Sequence, residues 1–101
     1  MWKRACAVDE VASGEAIIVD NDPPIAVFHV DGEWFATEDR CSHDDSSLAD
    51  GYVEGAVVEC AWHFAKFCLR TGKVLAPPAR LPLATFDTKV DGGVVYVNVK
   101  S

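Results

Sequence analysis

The chain has 101 residues, enough for one domain and too few for two ordinary ones. Half of it is apolar and a quarter charged, a globular balance that excludes bulk disorder, and no apolar run approaches the roughly 20 residues that cross a bilayer. Nine basic residues against sixteen acidic ones give a net charge of −7, which sets nucleic acid aside as a partner and fits either simple solubility or steering towards a basic surface.

In chain order, Met1 to Cys6 opens the sequence and Asp9-Glu10 follows, without the unbroken apolar core of a secretory leader. A cytoplasmic setting with no membrane contact is expected. A first strand would hold Cys6, and Asp9 to Glu15 has room for no more than a short turn of helix. Ala16 to Val19 reads as a strand ending at Asn21-Asp22-Pro23-Pro24, where two prolines cannot donate to a ladder. Ile25 to Val30 is apolar and β-branched, and Asp31-Gly32 turns it tightly into Trp34-Phe35. From Asp39 to Asp50 the chain is polar and turn-rich. Ala56 to Glu59 then reads as a short strand, and Phe67 to Leu69 as another that turns at Thr71-Gly72. Thr85 to Val90 and Val94 to Val99 flank Asp91-Gly92-Gly93, a second hairpin signal. The class is all-β, a small antiparallel sandwich or barrel.

The centre of the chain carries the chemistry. Cys41-x-His43 is followed, after residues 44–59, by Cys60-x-x-His63. Each half puts a thiol and an imidazole on one tight loop, so two loops could clamp one centre. Four such ligands suit a tetrahedral zinc. They equally suit a [2Fe–2S] cluster in which two histidines replace two cysteines on one iron. A disulfide framework is not expected, because four cysteines without a secretory context more often serve metals.

The segment from Cys41 to Gly72 closely resembles the Rieske-type ferredoxins, through Cys41-Ser-His43, Leu48, Glu54-Gly55, Val57, Cys60-Ala-Trp-His63, Phe67 and Thr71-Gly72. Pro77-Pro78 is similar to the proline loop that covers the cluster in that family. Among its members, the ferredoxin components of bacterial multicomponent ring-hydroxylating dioxygenases are the most similar. The resemblance implies a single Rieske domain over 1–101. A basal sandwich would be formed by 1–39 and 76–101, with an inserted cluster-binding subdomain at 40–75. It also implies that Cys41 and Cys60 bind the inner iron, and that His43 and His63 bind the outer iron through Nδ1. Anionic thiolates stabilise ferric iron, whereas neutral imidazoles leave the outer iron easier to reduce.

Two departures carry information. High-potential relatives join their cluster loops by a disulfide whose cysteines would fall at Ser46 and Trp62 here. Its absence, in an acidic chain, implies a potential near the low end of the roughly −150 to +300 mV Rieske range. The family often has Pro and Gly where this chain has Ala61 and Phe64, a change expected to alter loop packing and not ligation.

The remaining residues read more plainly. Cys68 and Cys6 are expected to be structural and unpaired with each other, and His29 to be a hydrogen-bonded structural histidine. Asp44 and Asp45 serve either turn chemistry or an acidic rim. Lys66 and Arg70 are expected to alternate on one solvated strand face, and Trp34 and Phe35 to lie in the core. There is no Ser-His-Asp set, phosphate loop or dinucleotide fingerprint. The chain therefore reads as an electron carrier and not an enzyme, and the resemblance implies a monomer serving aromatic hydrocarbon catabolism. The resemblance implies one [2Fe–2S] cluster, an NAD(P)H-dependent flavin reductase as donor and a terminal oxygenase as acceptor. A Rieske subunit or ferredoxin of another reductase system, such as nitrite reductase, and a zinc-stabilised interaction module remain as alternatives.

Overall fold

The computed structural model describes residues 1–41, 47–61, 64–77 and 81–99. Eleven strands are found there: β1 Trp2–Ala7, β2 Ala16–Val19, β3 Ile25–Val30, β4 Glu33–Glu38, β5 Tyr52–Glu54, β6 Val57–Glu59, β7 Lys66–Cys68, β8 Val74–Ala76, β9 Thr85–Phe86, β10 Thr88–Asp91 and β11 Val94–Asn98. One 3-10 turn, Leu48–Asp50, joins them, and the all-β reading holds. All strand pairs are antiparallel, in three sheets ordered β1-β11-β10, β2-β3-β4-β9 and β5-β6-β7-β8. Since β4 pairs directly with β9, the whole third sheet is an excursion between two neighbouring strands.

The tight turns follow from their residues. Val30 faces Glu33 across a two-residue loop in which Asp31 and Gly32 have φ of 48° and 87°. Positive φ at both positions is the mirror-image turn whose twist matches paired strands. Ser13 secures it, its hydroxyl accepting from Asp31 N at 2.9 Å. The turn between β10 and β11 uses Gly92-Gly93 in the same way, with φ of 59° and 77°.

Strand β3 explains how the layers meet. Its first four residues are all buried, and their alternation divides them between two cores. Ile25 and Val27 face one that also holds Cys6, Val95 and Val97. Ala26 and Phe28 face the other, with Leu48, Val58, Phe67 and Leu83. A strand covered on both faces has no polar side, which is why 25–28 is an unbroken apolar run. Phe28 and Phe67 are among the largest fully buried side chains, each contributing about 1.5–3 kcal/mol of burial.

Several sequence expectations are corrected here. Thr85 to Val90 is two strands in different sheets: Asp87 breaks it and its carbonyl accepts from Asn98 N at 2.9 Å. Asp9 to Glu15, by contrast, keeps to the expected limit, with no helix and only single turns closed by Glu10 N to Ala7 O and Glu15 N to Ala12 O. Trp34 and Phe35 are half-buried at the margins of the cores, because β4 sends them to opposite faces, Phe35 towards the Phe28 core and Trp34 towards the Ile25 core. Arg70 lies in the turn beyond β7, so it does not share a strand face with Lys66. Instead it forms a two-pronged ion pair with Glu33 at 2.9 and 3.1 Å and sits over the Phe35 ring. Lys66 pairs with Glu59 from the neighbouring strand.

Candidate metal centre

The first ligand loop leaves the end of β4. Arg40 and Ser47 form an isolated antiparallel bridge, and Cys41 is the first residue beyond Arg40. Below the bridge, Asp39 gathers the two sides. Its carboxylate accepts from Ser47 Oγ at 2.9 Å and Ala49 N at 3.0 Å, and its carbonyl accepts from Leu48 N at 2.6 Å. Leu48 is fully buried beneath the loop, and Cys41, 3% exposed, joins the same apolar core.

The second loop leaves β6. Cys60 follows it directly and is fully buried. Its N–H donates to Ala65 O at 2.7 Å and its carbonyl accepts from Phe64 N at 3.1 Å. These two bonds turn the chain back into β7. Phe64 has φ of 60°, the left-handed conformation that favours glycine. The glycine that the resemblance implies there would answer a backbone requirement, which this chain meets with a phenylalanine that is 66% exposed.

The structure therefore brings Cys41 and Cys60 into one core from two loops. His43 and His63 lie outside the described residues, as do Asp44, Asp45, Ser46, Trp62 and Pro78. The fit to a metal cluster is read from the two thiols themselves. Both are buried among apolar side chains at the roots of loops whose next ligand-type residues are two and three positions on. Thiolates inside a dry, shaped core are what an iron–sulfur centre requires, since burial and hydrogen bonds set its potential.

The other cysteines and His29 sit elsewhere. Cys6 is in the opposite core, and burial, then the Glu10 carboxylate, pushes its thiol pKa up. Cys68 is on the outer side of β7, where a hydrogen bond from the Thr71 hydroxyl leads the causes holding its thiol below the usual range. No disulfide joins the two. His29 Nδ1 is 2.8 Å from Val11 O, its Nε2 accepts from Gly32 N at 3.1 Å, and its ring stacks on Trp34 at 4.3 Å. It is the structural histidine expected. Sequence reasoning missed Asp39, whose place in a polar, turn-rich stretch gave no sign of burial.

The Rieske [2Fe-2S] domain family matches residues 1–87, and the chain belongs to that family. It is an electron carrier of the ferredoxin class whose cofactor is a Rieske [2Fe–2S] cluster, which removes the zinc alternative. The biphenyl dioxygenase ferredoxin subunit of Pseudomonas sp. (strain KKS102) is 50% identical over 99 residues, covering 96% of this chain and 91% of the relative. The 3-phenylpropionate/cinnamic acid dioxygenase ferredoxin subunit of Escherichia coli (strain K12) is 48% identical over 96 residues, covering 94% and 91%. Among solved structures, a chain in the complex of reduced oxygenase and oxidized ferredoxin in carbazole 1,9a-dioxygenase superposes with a TM-score of 0.91. It is 36% identical, with 95% of this chain and 91% of that one covered.

Proposed function

We propose that this chain carries single electrons from an NAD(P)H-dependent flavin reductase to the terminal oxygenase of an aromatic-ring dioxygenase. Cys41 and Cys60 would hold one iron, and His43 and His63 the other. The observation that carries this reading is the convergence of Cys41 and Cys60, from two separate loops, in one apolar core. When bound, the cluster supplies a one-electron couple with no bond-making of its own. The chain's residues do the rest. Phe28, Leu48 and Phe67 keep water from the sulfurs, and the backbone bonds around Cys60 fix where its thiolate emerges. Residues 40–75 act as the cluster-binding unit on a basal sandwich of 1–39 and 76–101, with Ala76 itself ending the third sheet. The protein works as a cytoplasmic monomer; among the described residues no helix is long and apolar enough to cross a membrane.

Two ferredoxin subunits of dioxygenases at about half identity support this acceptor over nitrite reduction. The net charge of −7 favours a basic docking surface, so transfer should slow as salt is added. Reconstitution tests the reading. Mixed with such a reductase and oxygenase, the chain should make dihydroxylation of an aromatic ring depend on its presence. Turnover of a nitrite reductase with no transfer to ring-hydroxylating oxygenases would overturn it. Redox titration should give a potential near the bottom of the Rieske range, and a value above about +100 mV would contradict the reading of Ser46 and Trp62.

A further inference from the structure

We infer that Asp39 is a positioning residue for the first ligand loop, setting where Cys41 presents its sulfur. The inference rests on Cys41 being a ligand. Among the described residues only Thr37 and Asp39 are buried and polar, and Asp39, 5% exposed, is the one with an ionisable side chain. A buried carboxylate is costly unless it is hydrogen-bonded, and Asp39 is bonded through one carboxylate oxygen and through both backbone groups. Its Oδ1 accepts from Ser47 Oγ and Ala49 N, its carbonyl from Leu48 N, and its own N–H donates to Pro24 O at 2.9 Å. One residue thereby joins the end of β4, the turn before β3 and the 3-10 turn. The Arg40–Ser47 bridge stands directly above, and Cys41 is the first residue beyond it. The thiol thus leaves from a root pinned on both sides.

At the second loop, backbone hydrogen bonds join Cys60 to Ala65 and Phe64. The first loop depends on a particular carboxylate, whose hydrogen bonds are stronger than neutral ones. A change at Asp39 should therefore reach the cluster through Cys41, not merely lower stability.

The test uses the cluster-loaded full chain and four variants: Asp39→Ala, Ser47→Ala, Asp39→Asn and Cys41→Ser. Midpoint potential, the line shape of the reduced EPR spectrum and the half-life of the visible absorbance are read beside thermal unfolding. Asp39→Ala should shift the potential, broaden the EPR lines and shorten the half-life several-fold. Ser47→Ala, which removes one of the two carboxylate bonds, should move the same quantities less. Asp39→Asn, whose amide oxygen can accept both bonds, though as weaker neutral ones, should recover most of the line shape and half-life. An Asp39→Ala protein that is merely less stable, with potential and spectrum unchanged, would overturn the inference. If Asp39→Ala does not fold, an unaltered spectrum, potential and half-life in Ser47→Ala would do the same. Cys41→Ser separates the two readings: a wild-type spectrum there removes the ligand assignment and this inference with it. Cluster loss there, with silent Asp39 and Ser47 variants, removes this inference alone.

Discussion

Cys6 and Cys60 are both buried thiols, one in each of the cores that β3 divides. Cys6 sits inside β1, its backbone paired opposite Val95. Cys60 sits where β6 has ended and the chain turns through a loop. Burial is common to both; what separates them is position along a strand. A thiol within a paired strand is held among its packing partners, whereas one at a strand end can be met by a second loop. Cys41, beyond the end of β4, supplies that second loop in the same core.

The comparison breaks most visibly by mutation. Cys60→Ala should abolish the cluster, seen as loss of red-brown colour and of iron and acid-labile sulfide in equal amounts. Cys6→Ala should keep the full cluster and cost only about 1 kcal/mol in thermal unfolding. A colourless Cys6 variant, or a loaded Cys60 variant, would erase the distinction. Gly72→Ala comes next. Gly72 has φ of 78°, and a Cβ there would collide with the carbonyl oxygen of Leu83, whose side chain lies in the Cys60 core. The expected cost is more than about 1 kcal/mol, measured by denaturant unfolding, with a loosened cluster.

Chemical reactivity sharpens the contrast between the two remaining thiols. Cys68, held below the usual thiol range chiefly by the Thr71 hydroxyl, should be alkylated at lower pH than an ordinary cysteine. Cys6, pushed up by burial, should resist until the protein unfolds. Peptide mapping after iodoacetamide across a pH series checks both. The smallest effect is expected at Arg70→Ala. The Arg70 guanidinium holds the Glu33 carboxyl below its usual range, so the pair contributes at neutral pH and loses its contribution as pH falls through that lowered pKa. Both ends are exposed, so the difference from wild type should be slight, diminish with salt, and vanish in acid.

Much of this was legible in the sequence because it rested on local chemistry. The turn at Asp31-Gly32 needs positive φ, the strands alternate or run apolar, and Cys41 and Cys60, singled out by their spacing to His43 and His63, both lie in one core. What escaped was set by distant partners. The apolar run at Ile25 to Phe28 says that both faces of β3 are covered, but not that β1 and β11 cover one and β6 and β7 the other. Thr85 to Val90 reads as one strand because the switch of sheet at Asp87 is decided by pairing with β4 on one side and β11 on the other. Arg70 finds Glu33, 37 positions away in sequence, and Asp39 is buried only because Ser47 and Ala49 come to meet it.

The proposed mixed ligation joins two thiolates from one core, Cys41 and Cys60, with the imidazoles of His43 and His63. Electron paramagnetic resonance of the reduced protein, with 15N-labelled histidine, tests it most directly. The expected result is a rhombic signal of low average g with hyperfine coupling to two imidazole nitrogens, lost or reduced to one nitrogen in His43→Ala or His63→Ala. A spectrum without nitrogen coupling, or one that neither histidine substitution alters, would contradict it.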